Sequence, residues 1–170
     1  MDSAGVLLDA FGRIGEGVHD VLAEISPSQL TFQAGDGANT IAWLIWHLTR
    51  IQDDHLAAAA GTEEVWLSAG WADRFALPFP TSATGYGHAA EDVVAVRAEA
   101  ASLRGYFDAV HDATIAFVRT LTDADLERIV DESWDPPVSL GVRLVSVVAD
   151  DLQHLGQAAY VRGLTQKEHP

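Results

Sequence analysis

Four stretches of the chain carry apolar residues at a 3.6-residue period, and each predicts a helix. In residues 4–25, Val6, Leu7, Phe11, Ile14, Val18, Val21, Leu22 and Ile25 fall on one stripe. Ser26-Pro27 then supplies a capping serine and a proline whose fixed φ suits a first helical position. The second helix follows the loop Ala34-Gly35-Asp36-Gly37, takes Asn39 or Thr40 as its N-cap, and runs to about residue 60. The third spans residues 90–120, and Thr122-Asp123-Ala124-Asp125 signals one additional helical turn. The fourth spans residues 139–163, where Gly163 suits a C-cap. No segment sustains the alternation of a half-buried strand, so the expected fold is all-α, with no sheet beyond a stray turn.

Two connections are long. Residues 61–88 hold Trp66, Trp71, Phe75, Pro78, Phe79, Pro80 and the run Gly85-Tyr86-Gly87-His88. Loops of this length in a compact domain are functional or disordered. So many aromatics need burial, which argues for order and predicts a lid packed across one end of the bundle. The other connection, residues 131–138, carries Trp134-Asp135-Pro136-Pro137. The 170 residues suit one domain spanning the whole chain, with enough length for a four-helix core.

Charge narrows the partners. The net charge of −15 opposes any binding mode built on phosphate contacts, so neither nucleic acid nor an anionic membrane surface is an expected partner. The chain has no cysteine, which excludes disulfides, thiolate metal ligands and a protein thiol nucleophile. Any thiol chemistry must draw its sulfur from a small molecule. Residues 1–5 lack the pattern of a signal peptide, and no apolar run reaches the ~18 residues of a membrane span; a cytoplasmic location is the expectation.

Candidate chemistry rests on histidines in apolar surroundings. His19 and His111 lie within helical patterns and need only structural roles, and His169 belongs to the tail. His47 sits inside Ile41-Ala42-Trp43-Leu44-Ile45-Trp46-His47-Leu48, and His154 follows Val145, Val147, Val148 and Leu152. Taken alone, such a histidine is more often a hydrogen-bonded core residue than a ligand. Asp150 changes the picture, because it lies one turn before His154 on the same helical face, a spacing at which two side chains close on one cation. The acid doublet Asp150-Asp151 within an apolar helix is costly to bury without a cation or a donor. On the second helix, Asp54 follows His47 by about two turns, and His55 lies at the edge of that face. Helices two and four together then offer two histidines and one carboxylate to a bundle interior, leaving open positions on a bound metal, as catalytic sites do.

The blocks Trp43-Leu44-Ile45-Trp46-His47-Leu48-Thr49-Arg50 and Asp150-Asp151-Leu152-Gln153-His154-Leu155-Gly156-Gln157 resemble the DinB-like superfamily. Gly85-Tyr86-Gly87-His88, Trp134-Asp135-Pro136-Pro137-Val138 and Gln157-Ala158-Ala159-Tyr160-Val161-Arg162-Gly163 are similar to its actinobacterial mycothiol S-transferase branch. The resemblance implies an up-down-down-up four-helix bundle with a divalent metal, zinc or nickel, held near one end by His47, Asp150 and His154. The commonest family pattern has a histidine at the position of Asp150, and the mycothiol-dependent maleylpyruvate isomerases have a glutamate. Aspartate is shorter than either, which leaves Asp151 as an alternative ligand.

The same resemblance supplies mycothiol, or a similar small thiol, as cosubstrate for an electrophilic substrate. Arg50, Arg162 and Tyr86 are the candidates for holding it, with Trp66 and Trp71 as further cover for the site. Family members often pair, so a homodimer is among the expectations. Two rival functions use the same residues: a hydrolase with metal-bound water as nucleophile, and a non-catalytic binding module.

Overall fold

The computed structural model describes residues 2–166; His169 lies outside them. Four long helices build the bundle: α1 (Ser3–Leu22), α3 (Ile41–Ala60), α7 (Ala100–Val118) and α8 (Leu140–Gln166). Between them run the short helices α2 (Pro27–Leu30), α4 (Val65–Ser68), α5 (Trp71–Phe75) and α6 (Ala90–Ala95). Caps define several starts. Asp2 caps α1, Thr40 caps α3 by accepting from the Trp43 amide, and Ser26 with Gln29 forms a capping box on α2. Gly61, left-handed at φ 70°, closes α3.

Helix directions follow from which residues meet. Gly17 faces Leu155 and Arg162 reaches the carbonyls of Asp20 and Ala23, so α1 and α8 run parallel. His47 meets His154 while His55 meets Arg143, so α3 opposes α8. His19 meets Asp108 while Gly15 meets His111, so α7 opposes α1. The bundle is therefore up-down-down-up. Phe11, Ile14, Leu44, Ile45, Leu103, Phe107, Leu140 and Leu144 are fully or almost fully buried at its centre. Every residue of α3 from 41 to 50 is buried, because α7, α8 and the 61–88 connection enclose it.

Several expectations need correction. The third helix does not run unbroken through residues 90–120: Val96 leaves helical geometry at ψ 95° and Glu99 is extended at ψ 149°. No glycine or proline marks the break. Val93 and Val96 are both buried, so tertiary packing of α6 overrides local periodicity. The 61–88 connection contains two helices, α4 and α5. At Thr122-Asp125 the Asp125 carboxylate accepts from the Thr122 amide ahead of a single 3-10 turn, Asp125–Glu127, which has no side-chain cap. The 131–138 connection joins two short antiparallel strands, β1 (Ile129–Asp131) and β2 (Val138–Ser139), so a small ribbon does exist. Gly163 is no C-cap; α8 continues to Gln166, with buried Thr165 accepting from Gln29 of α2 at 3.1 Å.

Candidate metal centre

α8 carries two adjacent stripes. Leu140, Leu144, Val147, Asp151, Leu155 and Ala158 face the core, while Asp150 and His154 sit one position off it, turned toward α3. His47, 5 % exposed on α3, comes up opposite them. One ligand atom from each of His47, Asp150 and His154 lies within 4.8 Å of the others. The His47 and His154 rings stand nearly perpendicular, with centroids 4.7 Å apart.

Hydrogen bonds orient both imidazoles. His47 Nδ1 lies 2.6 Å from the Thr84 carbonyl, which can only accept, so Nδ1 carries the proton and Nε2 is left bare. His154 Nδ1 lies 3.3 Å from the Gln157 side-chain oxygen, which leaves its Nε2 toward Asp150 Oδ1 at 3.6 Å. Burial holds His47 below the usual imidazole range, against the opposing pull of the Thr84 carbonyl. The Asp150 carboxylate beside His154 raises that ring, outweighing its burial. For Asp150, burial works against the charge, but the close approach of His154 Nε2, with His47 and His55 nearby, leaves it lowered. Asp150 Oδ2 is buried and has no hydrogen-bond partner. Two imidazole nitrogens and a carboxylate with an unclaimed buried oxygen form a donor set that fits a divalent transition metal.

Trp43 stacks on His47 at 4.5 Å, and its indole N–H donates to His88 Nδ1 at 3.2 Å. Gly85 packs at the Nδ1 edge of the ring: at φ 96°, a Cβ there would stand 2.7 Å from His47 Nδ1 and 3.2 Å from Trp43, so only glycine permits this approach. In the sequence, His88 stands out only as the end of the Gly85–His88 run, with nothing to tie it to the site. Its sole signal was that run, because contact between a loop and α3 has no periodicity.

Other expected residues lie elsewhere. Asp151 is fully buried on the core stripe, with neither oxygen hydrogen-bonded, and it is not in the ligand group. Asp54 and His55 pair with each other at 3.4 Å, and His55 turns toward Arg143. Arg50 is fully buried and bonded to Glu64 and the Ala83 carbonyl, so it presents nothing to a cosubstrate. Arg162 is engaged with the carbonyls of Asp20, Val21 and Ala23 at the end of α1. Tyr86 projects into solvent, 90 % exposed, one residue past Gly85. Trp66 packs on Trp46, Phe75 and Tyr106, and Trp71 on Phe75 and Tyr106; they are core, not cover for the histidines. Residues 84–88 are the part of the connection that lies against the site.

A sequence profile described as the DinB superfamily matches residues 10–158. The chain belongs to the DinB superfamily. It is similar to a protein described as "conserved protein of locus from Enterococcus faecalis", whose crystal structure shares 29 % identity and a TM-score of 0.88. That likeness covers 95 % of this chain and 96 % of the Enterococcus one. No curated protein matches. The DinB bundle thus carries a His/Asp/His group able to hold a metal ion. Among the described residues, no helix is long and apolar enough to cross a membrane.

Proposed function

We propose that this DinB protein binds zinc or nickel through His47, Asp150 and His154 and transfers a small-molecule thiol, mycothiol or a close analogue, to an electrophilic substrate. The observation that carries the reading is the convergence of three ligand atoms in a chain without a single cysteine. When bound, a divalent cation lowers the pKa of a thiol beside it, giving a nucleophile at neutral pH. The chain's own groups hold the rest of the arrangement. The Thr84 carbonyl leaves His47 Nε2 bare for ligation, and the Gln157 side-chain oxygen turns the His154 ring so that its Nε2 points toward Asp150. Trp43 and the Gly85 backbone cover His47 from two sides, and Tyr86 stands at the rim, free to lie over a cosubstrate. In the transfer, the thiol gives its proton to solvent, the sulfur–carbon bond forms as the carbon–leaving-group bond breaks, and the leaving group departs with that bonding pair.

The test combines metal analysis with thiol titration on one preparation. Protein loaded with zinc or nickel should hold one ion per chain and consume mycothiol in the presence of a model electrophile. His47→Ala and His154→Ala should lose most of the metal and the activity, whereas His111→Ala should keep both. A protein that stays metal-free after loading refutes the site. Bound metal with ester hydrolysis but no thiol consumption would make it a hydrolase, and bound metal with neither reaction a binding module.

A further inference from the structure

We propose that Arg50 is a positioning residue for the metal centre: it anchors the Ala83 carbonyl and so sets the next carbonyl, Thr84, against His47. The proposal rests on reading His47, Asp150 and His154 as a metal site. Arg50 lies one turn after His47 on α3 and is completely buried. Its Nε donates to Ala83 O at 3.1 Å, its Nη1 to Glu64 at 2.5 Å, and its guanidinium lies over the Trp66 ring. A buried charge of this kind is a poor source of stability, since apolar packing does as well. What it does supply is direction. Asp53, three residues on, accepts from the Val65 and Trp66 amides and the Tyr106 hydroxyl. Together, Asp53 and Arg50 tie both ends of the 61–88 connection to α3.

At the far end the consecutive carbonyls divide the work: Ala83 O takes the Arg50 Nε–H, and Thr84 O takes the His47 Nδ1–H. Gly85 follows at the distance of closest approach to the same ring. The continuous path from Arg50 through the 83–84 peptide to His47 decides which imidazole nitrogen is left for ligation. Partners that fix a ligand's tautomer in this way typically govern metal affinity by about 10–100-fold.

The test uses Arg50→Lys, which keeps the charge but loses the planar fork and its Nε. Histidine 15N NMR on the chelated protein reads the His47 tautomer, and competition with a chromophoric chelator reads zinc affinity. Wild type should show a single Nδ1–H form. Arg50→Lys should remain helical, show mixed His47 tautomers, and bind zinc about 10–100-fold more weakly. Zinc affinity within twofold of wild type, with the Nδ1–H signal unchanged, would overturn the proposal. Should Arg50→Lys fail to fold, Arg50→Met decides, since it fills the buried space with an apolar chain but loses the Nε–H to Ala83 O; an unchanged tautomer there also overturns the proposal. If wild type binds no zinc, the metal reading falls, and the tautomer comparison still settles the role of Arg50.

Discussion

Asp150 and Asp151 are chemically the same side chain with opposite fates, separated by one position on α8. A helix turns ~100° per residue, so one carboxylate faces the histidines and the other faces the core. Burial pushes the Asp151 carboxyl well up, and the Asp150 charge beside it adds to the effect. A carboxyl neutral in the folded chain and ionised in the unfolded one takes up a proton on folding. Its contribution is therefore present at low pH and is lost as pH rises from the unfolded value to the raised folded one. Asp151→Asn should accordingly be more stable than wild type at pH 7 in chelated protein. A gain of roughly 1 kcal/mol raises Tm by ~2–4 °C at this chain length, and the gain should vanish as pH falls toward 4. Equal melting at pH 7 would mean that Asp151 finds a partner. The doublet was legible in the sequence as an anomaly, and its spacing to His154 pointed to Asp150, with Asp151 left as the alternative. That choice depends on the rotation of α8 by one position about its axis, and only packing against α3 and α1 settles it.

At the scale of elements, the long amphipathic helices were readable because burial of one face imposes a period. Their interruptions and what covers them were not. The break at residues 96–99 carries no breaker residue, and α4 and α5 are too short to show a period. Arg162 illustrates the same limit. The family resemblance made it a candidate for holding a cosubstrate, yet its guanidinium satisfies the carbonyls that α1 leaves open at its C-terminus. Cationic donors at a helix C-terminus are favourable, each such bond contributing on the order of 1.5 kcal/mol. Arg162→Ala should lower Tm by several degrees, following about 2–4 °C per kcal/mol, while zinc stoichiometry and affinity stay at wild-type values. A variant that melts normally but binds the thiol poorly would restore Arg162 to the cosubstrate and remove it from the cap.

The whole molecule is what turns separate residues into a site. His47 and His154 are more than a hundred positions apart, and only opposed helices α3 and α8 bring them together. The sequence patterns expose each histidine's apolar setting, and the family resemblance links the two helices; periodicity alone carries no information about which helices touch. One thermodynamic consequence follows from that distance. The unfolded chain has no assembled His/Asp/His group, so a metal that binds only the native state stabilises it by mass action, by about 2.7 kcal/mol at a hundredfold excess over Kd. At roughly 2–4 °C per kcal/mol, Tm should rise by ~5–11 °C under those conditions. Each further tenfold in free zinc should add another ~1.4 kcal/mol. The rise should be logarithmic in zinc, and it should flatten in both His47→Ala and His154→Ala. Asp150→Ala should flatten it equally, because Asp151 faces the core and cannot take its place. A retained zinc response in Asp150→Ala would show that α8 rotates to offer Asp151 instead. A wild-type melting temperature indifferent to zinc would mean that the two histidines meet without sharing an ion.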